Sequence, residues 1–236
     1  MKLKELLILS VVLLLFLFGC TTSDNAVQYS PQEIEDARKG GYEVISLALK
    51  AATDNTADSL ESLPVSSFFS ESEYSIIEEH FDRPGVKRRL NIFAEMMTEK
   101  MKTVLIDSIE EQEKWITHIV IENPYDYVLG TNDSLTTLSA PSISEDLDTY
   151  IREQIKQDPL VFETYRKFLS IINTYILTFN EINPDEKKNT MSMWEPSAII
   201  STVSQTLLEN MKKQEQIIRS LAPSYESEYI RLYGLQ

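Results

Sequence analysis

From residue 30 onward, apolar side chains recur at intervals of three and four, the spacing of one buried face on an α-helix. Ser30-Pro31-Gln32-Glu33 combines an N-cap serine, a proline at the first helical position and a glutamate at N3, which is a helix start. Gly40-Gly41 is expected to break or bend that element, with a second helix from Tyr42 to about Leu60 turning Val44, Ile45, Ala48, Leu49 and Ala52 inward. Leu63-Pro64 ends it. Ser70, with Glu73 three residues on, caps a helix to about Phe81, and Pro84-Gly85 forms a turn. The next predicted helix is long, from Val86 to Glu113 or beyond, with Leu90, Phe93, Ala94, Met97, Met101, Val104, Leu105 and Ile109 on one face.

Ile116, Ile119, Val120 and Ile121 have strand-like β-branched content, but no second strand pairs with them, so the stretch is assigned to helix. Asn123-Pro124 starts a short helix that Gly130 closes through the left-handed conformation, and Thr131, Asn132 or Asp133 caps the next. Ser139 to Ser142 reads as a loop around Pro141, with a new helix from Ser144. Asp158-Pro159 launches a helix to about Asn180, and the polar stretch from Asn183 to Met193 is an exposed connection. The last long helix, Ser197 to Leu221, buries Ile200, Val203, Leu207, Met211, Ile218 and Leu221, and a tail with Tyr225, Tyr229, Leu232 and Tyr233 packs back. Six glycines are too few for a turn-rich sandwich or barrel. The expected class is all-α, a single compact multi-helix domain over residues 31–236.

The chain's first residues depart from this pattern. Lys2 and Lys4 precede an apolar run from Leu6 to Phe18, about 20 Å of helix where a membrane core needs about 30 Å. The run ends in Leu17-Phe18-Gly19-Cys20, which resembles the lipobox of bacterial lipoproteins: an apolar residue three before the cysteine, a small one beside it, then the cysteine that takes the lipid. Residues 1–19 then read as a lipoprotein signal peptide, Cys20 as the lipidated first residue, and residues 20–30 as a flexible tether. Phe18 is bulkier than the pattern prefers. Cys20 is the sole cysteine, which excludes disulfides and cysteine zinc sites. The expected location is a bacterial membrane with the domain outside the cytoplasm, on the periplasmic face of the outer membrane in a Gram-negative host.

A formal net charge of −15 repels nucleic acid and anionic headgroups, and neither is expected as a partner; the membrane is reached through the lipid on Cys20. No nucleophile elbow and no phosphate-binding glycine pattern is present, and no cofactor is expected. His80 and His118 read as surface or capping residues, although His118 lies four residues before Glu122. Asp126 to Asp133 resembles a calcium loop only faintly, lacking the alternating oxygen ligands and the closing glutamate, so no metal is assigned. Two polar pairs stand one helical turn apart: Asn91 with Glu95, and Glu215 with Arg219. They are candidate binding residues or structural pairs.

Ala48-Leu49-Lys50, Leu90-Asn91 followed by Ala94-Glu95, Ile119 followed by Asn123 to Leu129-Gly130, Asn132-Asp133-Ser134-Leu135-Thr136, and Gln214-Glu215 with Ile218-Arg219 and Pro223 occur in that order. Together they resemble the bacterial family called domain of unknown function 4197, over roughly Gly41 to Pro223. The chain departs from it at the end, where Ser224-Tyr225-Glu226 and Leu232-Tyr233-Gly234 stand in place of the family's arginine–threonine stretch and final Lys-x-Val-Phe. The resemblance implies a helical, exported protein and no particular activity, and it draws attention to Asn91, Glu95, Glu215 and Arg219. The expected role is a non-enzymatic envelope module that binds a protein or small ligand. The alternatives are an envelope hydrolase with Glu95 and Glu215 as acid and base, and a structural or assembly factor.

Overall fold

The computed structural model describes residues 29–234, so the expected signal peptide, the expected lipidation at Cys20 and nearly all of the expected tether lie outside the described residues. Ser30 and Glu33 form the expected reciprocal cap: the Ser30 hydroxyl accepts from the Glu33 N–H (3.2 Å), and the Glu33 carboxylate accepts from the Ser30 N–H (2.7 Å). From Ile34 onward the described residues form one compact unit. Among the described residues all regular structure is helical: α1 Pro31–Ser59, α2 Glu71–His80, α3 Val86–Ser108, α4 Gln112–Ile116, α5 Pro124–Val128, α6 Ser134–Lys156, α7 Pro159–Ile182, α8 Ser197–Leu221 and α9 Glu228–Arg231, with short 3-10 turns at 60–62, 65–68, 222–224 and 232–234. None of these helices is long and apolar enough to cross a membrane.

Helix α6 packs extensively against α8, and α3 against α7. Each pairing follows from a stripe: Leu135, Ser139, Ile143, Leu147, Ile151 and Ile155 are fully buried at four-residue steps on α6, and Val161, Tyr165, Phe168, Ile172 and Ile176 at steps of three and four on α7. An aromatic cluster joins α3 and α7 to the connection after α7. Phe93 packs edge-on against Trp194 at 5.1 Å and tilted against Tyr165 at 5.3 Å. Trp194 donates its ring N–H to the Phe68 carbonyl (2.8 Å), and Met191 is buried too. The connection expected to be wholly exposed is therefore pinned at its far end.

Several expectations are corrected. Gly40-Gly41 does not break α1, which runs through both residues. A Cβ at Gly40 would stand 2.4 Å from the Tyr229 carbonyl oxygen, and one at Gly41 2.8 Å from the Tyr233 hydroxyl and from Ile121. The glycines admit the C-terminal tail and the 119–121 segment close to the helix. Pro141 does not open a loop either; it lies inside α6, where the stripe buried along α8 outweighs one missing backbone bond. Helix α3 stops at Ser108, short of Glu113, because Glu110 and Glu111 would add negative charge to its negative end. Residues 117–121 are not helical. Ile119 and Ile121 are buried with Val120 exposed between them, and side chains of α1 take the place of a paired strand: the Tyr42 hydroxyl donates to the Ile119 carbonyl (2.9 Å) and Arg38 Nε to that of Ile121 (3.1 Å). Leu221, expected inside, is half exposed.

Candidate functional site

The two polar pairs have opposite surroundings. Glu215 is completely buried and Arg219 nearly so, one turn apart on α8. One Glu215 carboxylate oxygen accepts from the Leu135 N–H (3.1 Å) and from Arg219 Nε (2.9 Å). The other accepts from the Thr136 N–H and the Thr136 hydroxyl, both at 2.7 Å. Leu135 and Thr136 are the second and third residues of α6, whose own N-cap, Asp133, makes no side-chain cap. A carboxylate from α8 thus caps α6 where the helix dipole favours an anion. Arg219 Nη2 lies 2.9 Å from the Glu215 oxygen that Nε reaches, and also donates to the last-turn Tyr127 carbonyl of α5 and to the Ser134 hydroxyl, both at 2.9 Å. Each charge faces the helix end of opposite sign.

The Tyr233 ring covers the Arg219 guanidinium at 5.2 Å, and its hydroxyl donates to the Ala37 carbonyl (2.8 Å). Burial raises the Tyr233 hydroxyl well above its ordinary pKa, with Arg219 pulling it partly back. The ensemble is a structural clamp on the α5–α6 corner. Gly130 in that corner does not adopt the expected left-handed conformation; its missing side chain admits the Asp126 carbonyl oxygen, 2.6 Å from where a Cβ would stand. The caps expected from Thr131, Asn132 or Asp133 are replaced by Glu215. No solvent-open cleft reaches Glu215, so Glu95 and Glu215 do not form the acid–base pair that the hydrolase reading needs.

Asn91 and Glu95 are exposed, and make no hydrogen bond or ion pair with each other among the described residues. They line one wall of an open groove of about 630 Å³ at the α2–α3 corner. Arg83, Lys87 and Arg88 line the same groove. Among the described residues none of these three cations is in an ion pair, and the first turn of α3 contains no acidic residue. The corner is firmly built. Gly85 takes φ 82°, a left-handed value that suits glycine, and the Tyr175 hydroxyl of α7 donates to the Pro84 carbonyl (3.1 Å). Arg83 lies over the Tyr175 ring at 6.0 Å and Lys87 over the Phe81 ring at 5.2 Å. Both side chains are thereby held near the groove.

The three cations were missed in the sequence because the net charge was weighed over the whole chain. Arg83, Lys87, Arg88 and Arg89 stand within seven residues of a chain with 37 acidic and 22 basic residues, and that local reversal was the available signal. The histidines differ from expectation in one case. His118 is exposed, with Nδ1 2.9 Å from Asp146; Glu122 is not on a shared helix face with it, since residues 117–121 are not helical. His80 is neither at the surface nor a cap: it shares the buried face of α2 with Ile77, and neither ring nitrogen has a hydrogen-bond partner. No group of three or more His, Cys, Asp or Glu among the described residues could hold a metal ion. No protein-family model matches the chain, and no curated protein or solved structure is significantly similar to it.

Proposed function

We propose that this chain is a lipid-anchored bacterial envelope protein whose helical body is a non-enzymatic binding module, with the cationic groove at the α2–α3 corner as its binding site. The carrying observation is the set of unpaired cations, Arg83, Lys87 and Arg88, gathered on one open groove of a strongly acidic chain. Like charges that cluster at the positive end of a helix destabilise one another and the helix, so their placement favours a role in holding something else. The groove's volume of about 630 Å³ lies within the range of small-ligand sites. The anchor rests on Leu17-Phe18-Gly19-Cys20 and the short apolar run before it. Kinship with the domain of unknown function 4197 family belongs to the same proposal, resting on the ordered segments from Ala48 to Pro223, with Asn91 and Glu95 on the groove and Glu215 and Arg219 in the clamp.

A photo-crosslinking residue at Ile92, which lines the groove, tests the site in living cells. The expected result is a discrete adduct that disappears when Arg88→Glu is added. No adduct, or one indifferent to Arg88, overturns the reading. For the anchor, Cys20→Ala should abolish fatty-acid labelling; labelling that persists would refute the lipoprotein assignment.

A further inference from the structure

Resting on that reading of the groove, we infer that its ligand is a phosphorylated sugar, with the phosphate held by Arg83, Lys87 and Arg88 and the hydroxyls by Asn91 and Glu95. Three separate cations at one end suit a doubly charged tetrahedral anion that offers several oxygens. Guanidinium groups dominate the set, and their planar forks donate pairs of hydrogen bonds to phosphate oxygens. Lys87, Asn91 and Glu95 then follow on successive turns of α3, spanning about 12 Å at about 1.5 Å per residue. Along this line the wall changes from cationic, to an amide that both donates and accepts, to a carboxylate that only accepts. A ligand that satisfies it is anionic at one end and rich in hydroxyl donors at the other. Ile92 and Pro84 add apolar surface for the ring's C–H face.

The same wall disfavours a flat anionic membrane. Asp82 and Glu95 line the groove beside the cations, and the chain as a whole is acidic, so close approach of a charged bilayer is repelled. A discrete phosphate reaches the cations without bringing further negative charge against Glu95. A simple carboxylate carries one charge and two oxygens, and leaves part of the cationic set unmatched.

Calorimetric titration of the full-length protein in neutral detergent tests this with glucose 1-phosphate, inorganic phosphate, glucose, glucuronate, and mixed micelles of the same detergent containing phosphatidylglycerol. Glucose 1-phosphate should bind at least tenfold more tightly than inorganic phosphate or glucuronate, and glucose should not bind. Arg88→Glu should weaken glucose 1-phosphate binding at least tenfold. Glu95→Gln should reduce the advantage of glucose 1-phosphate over phosphate, whereas Arg88→Glu should weaken the binding of both, which separates hydroxyl recognition from charge. Equal affinity for phosphate and glucose 1-phosphate, binding confined to the phosphatidylglycerol micelles, or binding unaffected by Arg88→Glu each overturns the inference. If no sugar phosphate binds but the Ile92 adduct still depends on Arg88, the ligand class falls and the groove stands. If the adduct is absent too, both fall.

Discussion

The Glu215–Arg219 clamp and the Arg83–Lys87–Arg88 groove are both groups of charges at helix ends, and they obey opposite rules. In the clamp, each charge faces the pole it neutralises, the carboxylate at the start of α6 and the guanidinium at the end of α5, and both are sealed from water. In the groove, three cations gather at the start of α3, the pole that repels them, and stay exposed without an ion pair among the described residues. Burial demands that a charge be satisfied within the chain, because an unpaired one is costly there. Exposure lifts that demand and leaves the charges open to another molecule. Of the two helical pairs singled out by spacing, Glu215–Arg219 is therefore structure, while Asn91 and Glu95 line the candidate site beside a run of cations that spacing ignored.

The largest effect should come from breaking the clamp. Glu215→Ala strands a buried guanidinium and uncaps α6, and should cost about 3–5 kcal/mol, read from the urea midpoint. Glu95→Ala in the groove should change stability by no more than about 0.5 kcal/mol. Similar losses for the two would erase the distinction between the regions. The double variant Glu215→Leu with Arg219→Met sharpens it. It removes the charge that Glu215→Ala strands and should recover most of that loss, while the uncapped N–H groups of Leu135 and Thr136 keep a cost of about 1 kcal/mol.

Asp158 lies between the extremes, with its side chain 26% exposed and 3.0 Å from Lys100. It caps α7 through the Leu160 N–H (3.0 Å). Burial pushes its carboxyl upward, but the Lys100 and Leu160 hydrogen bonds outweigh that and hold it below the ordinary 3.8. The unfolded chain therefore takes up this proton first as the pH falls. The contribution of Asp158 is complete above 3.8 and is lost as the pH drops through the lower folded value. Asp158→Ala should cost about 1 kcal/mol near neutrality. The gap to the parent chain should hold steady down to about pH 5 and close in stronger acid; a gap that widens in acid would reverse the sign of this coupling.

What was legible in the sequence was local. Ser70 with Glu73, Asp158-Pro159 and the stripe from Ile200 to Ile218 each carry their signal within a few residues, and the structure places caps and helices there. What was illegible depended on distant partners. Gly40 and Gly41 look like breakers until Tyr229 and Tyr233 are seen against them. Pro141 looks like a loop until α8 is laid along α6. The i, i+4 spacing joined Glu215 to Arg219, but no local pattern could name Leu135, Thr136 and Tyr127 as what they hold. The cations at 83–89 were in plain view, hidden only by summing charge over the whole chain.

The smallest effect separates the two regions most cleanly, because its sign differs. Lys87 and Arg88 are the second and third residues of α3, where a positive charge opposes the helix dipole. Arg88→Glu removes one such charge and puts a favourable one in its place, so the folded protein should gain roughly 0.3–1 kcal/mol. The gain should appear as a higher thermal midpoint at low ionic strength and shrink as salt screens the dipole. The same substitution is expected to weaken ligand binding, so stability and binding would move in opposite directions at one residue. A loss of stability would mean that Arg88 is held by contacts within the chain, as Arg219 is. The cations would then belong to the fold, and the groove would lose the observation on which its function rests.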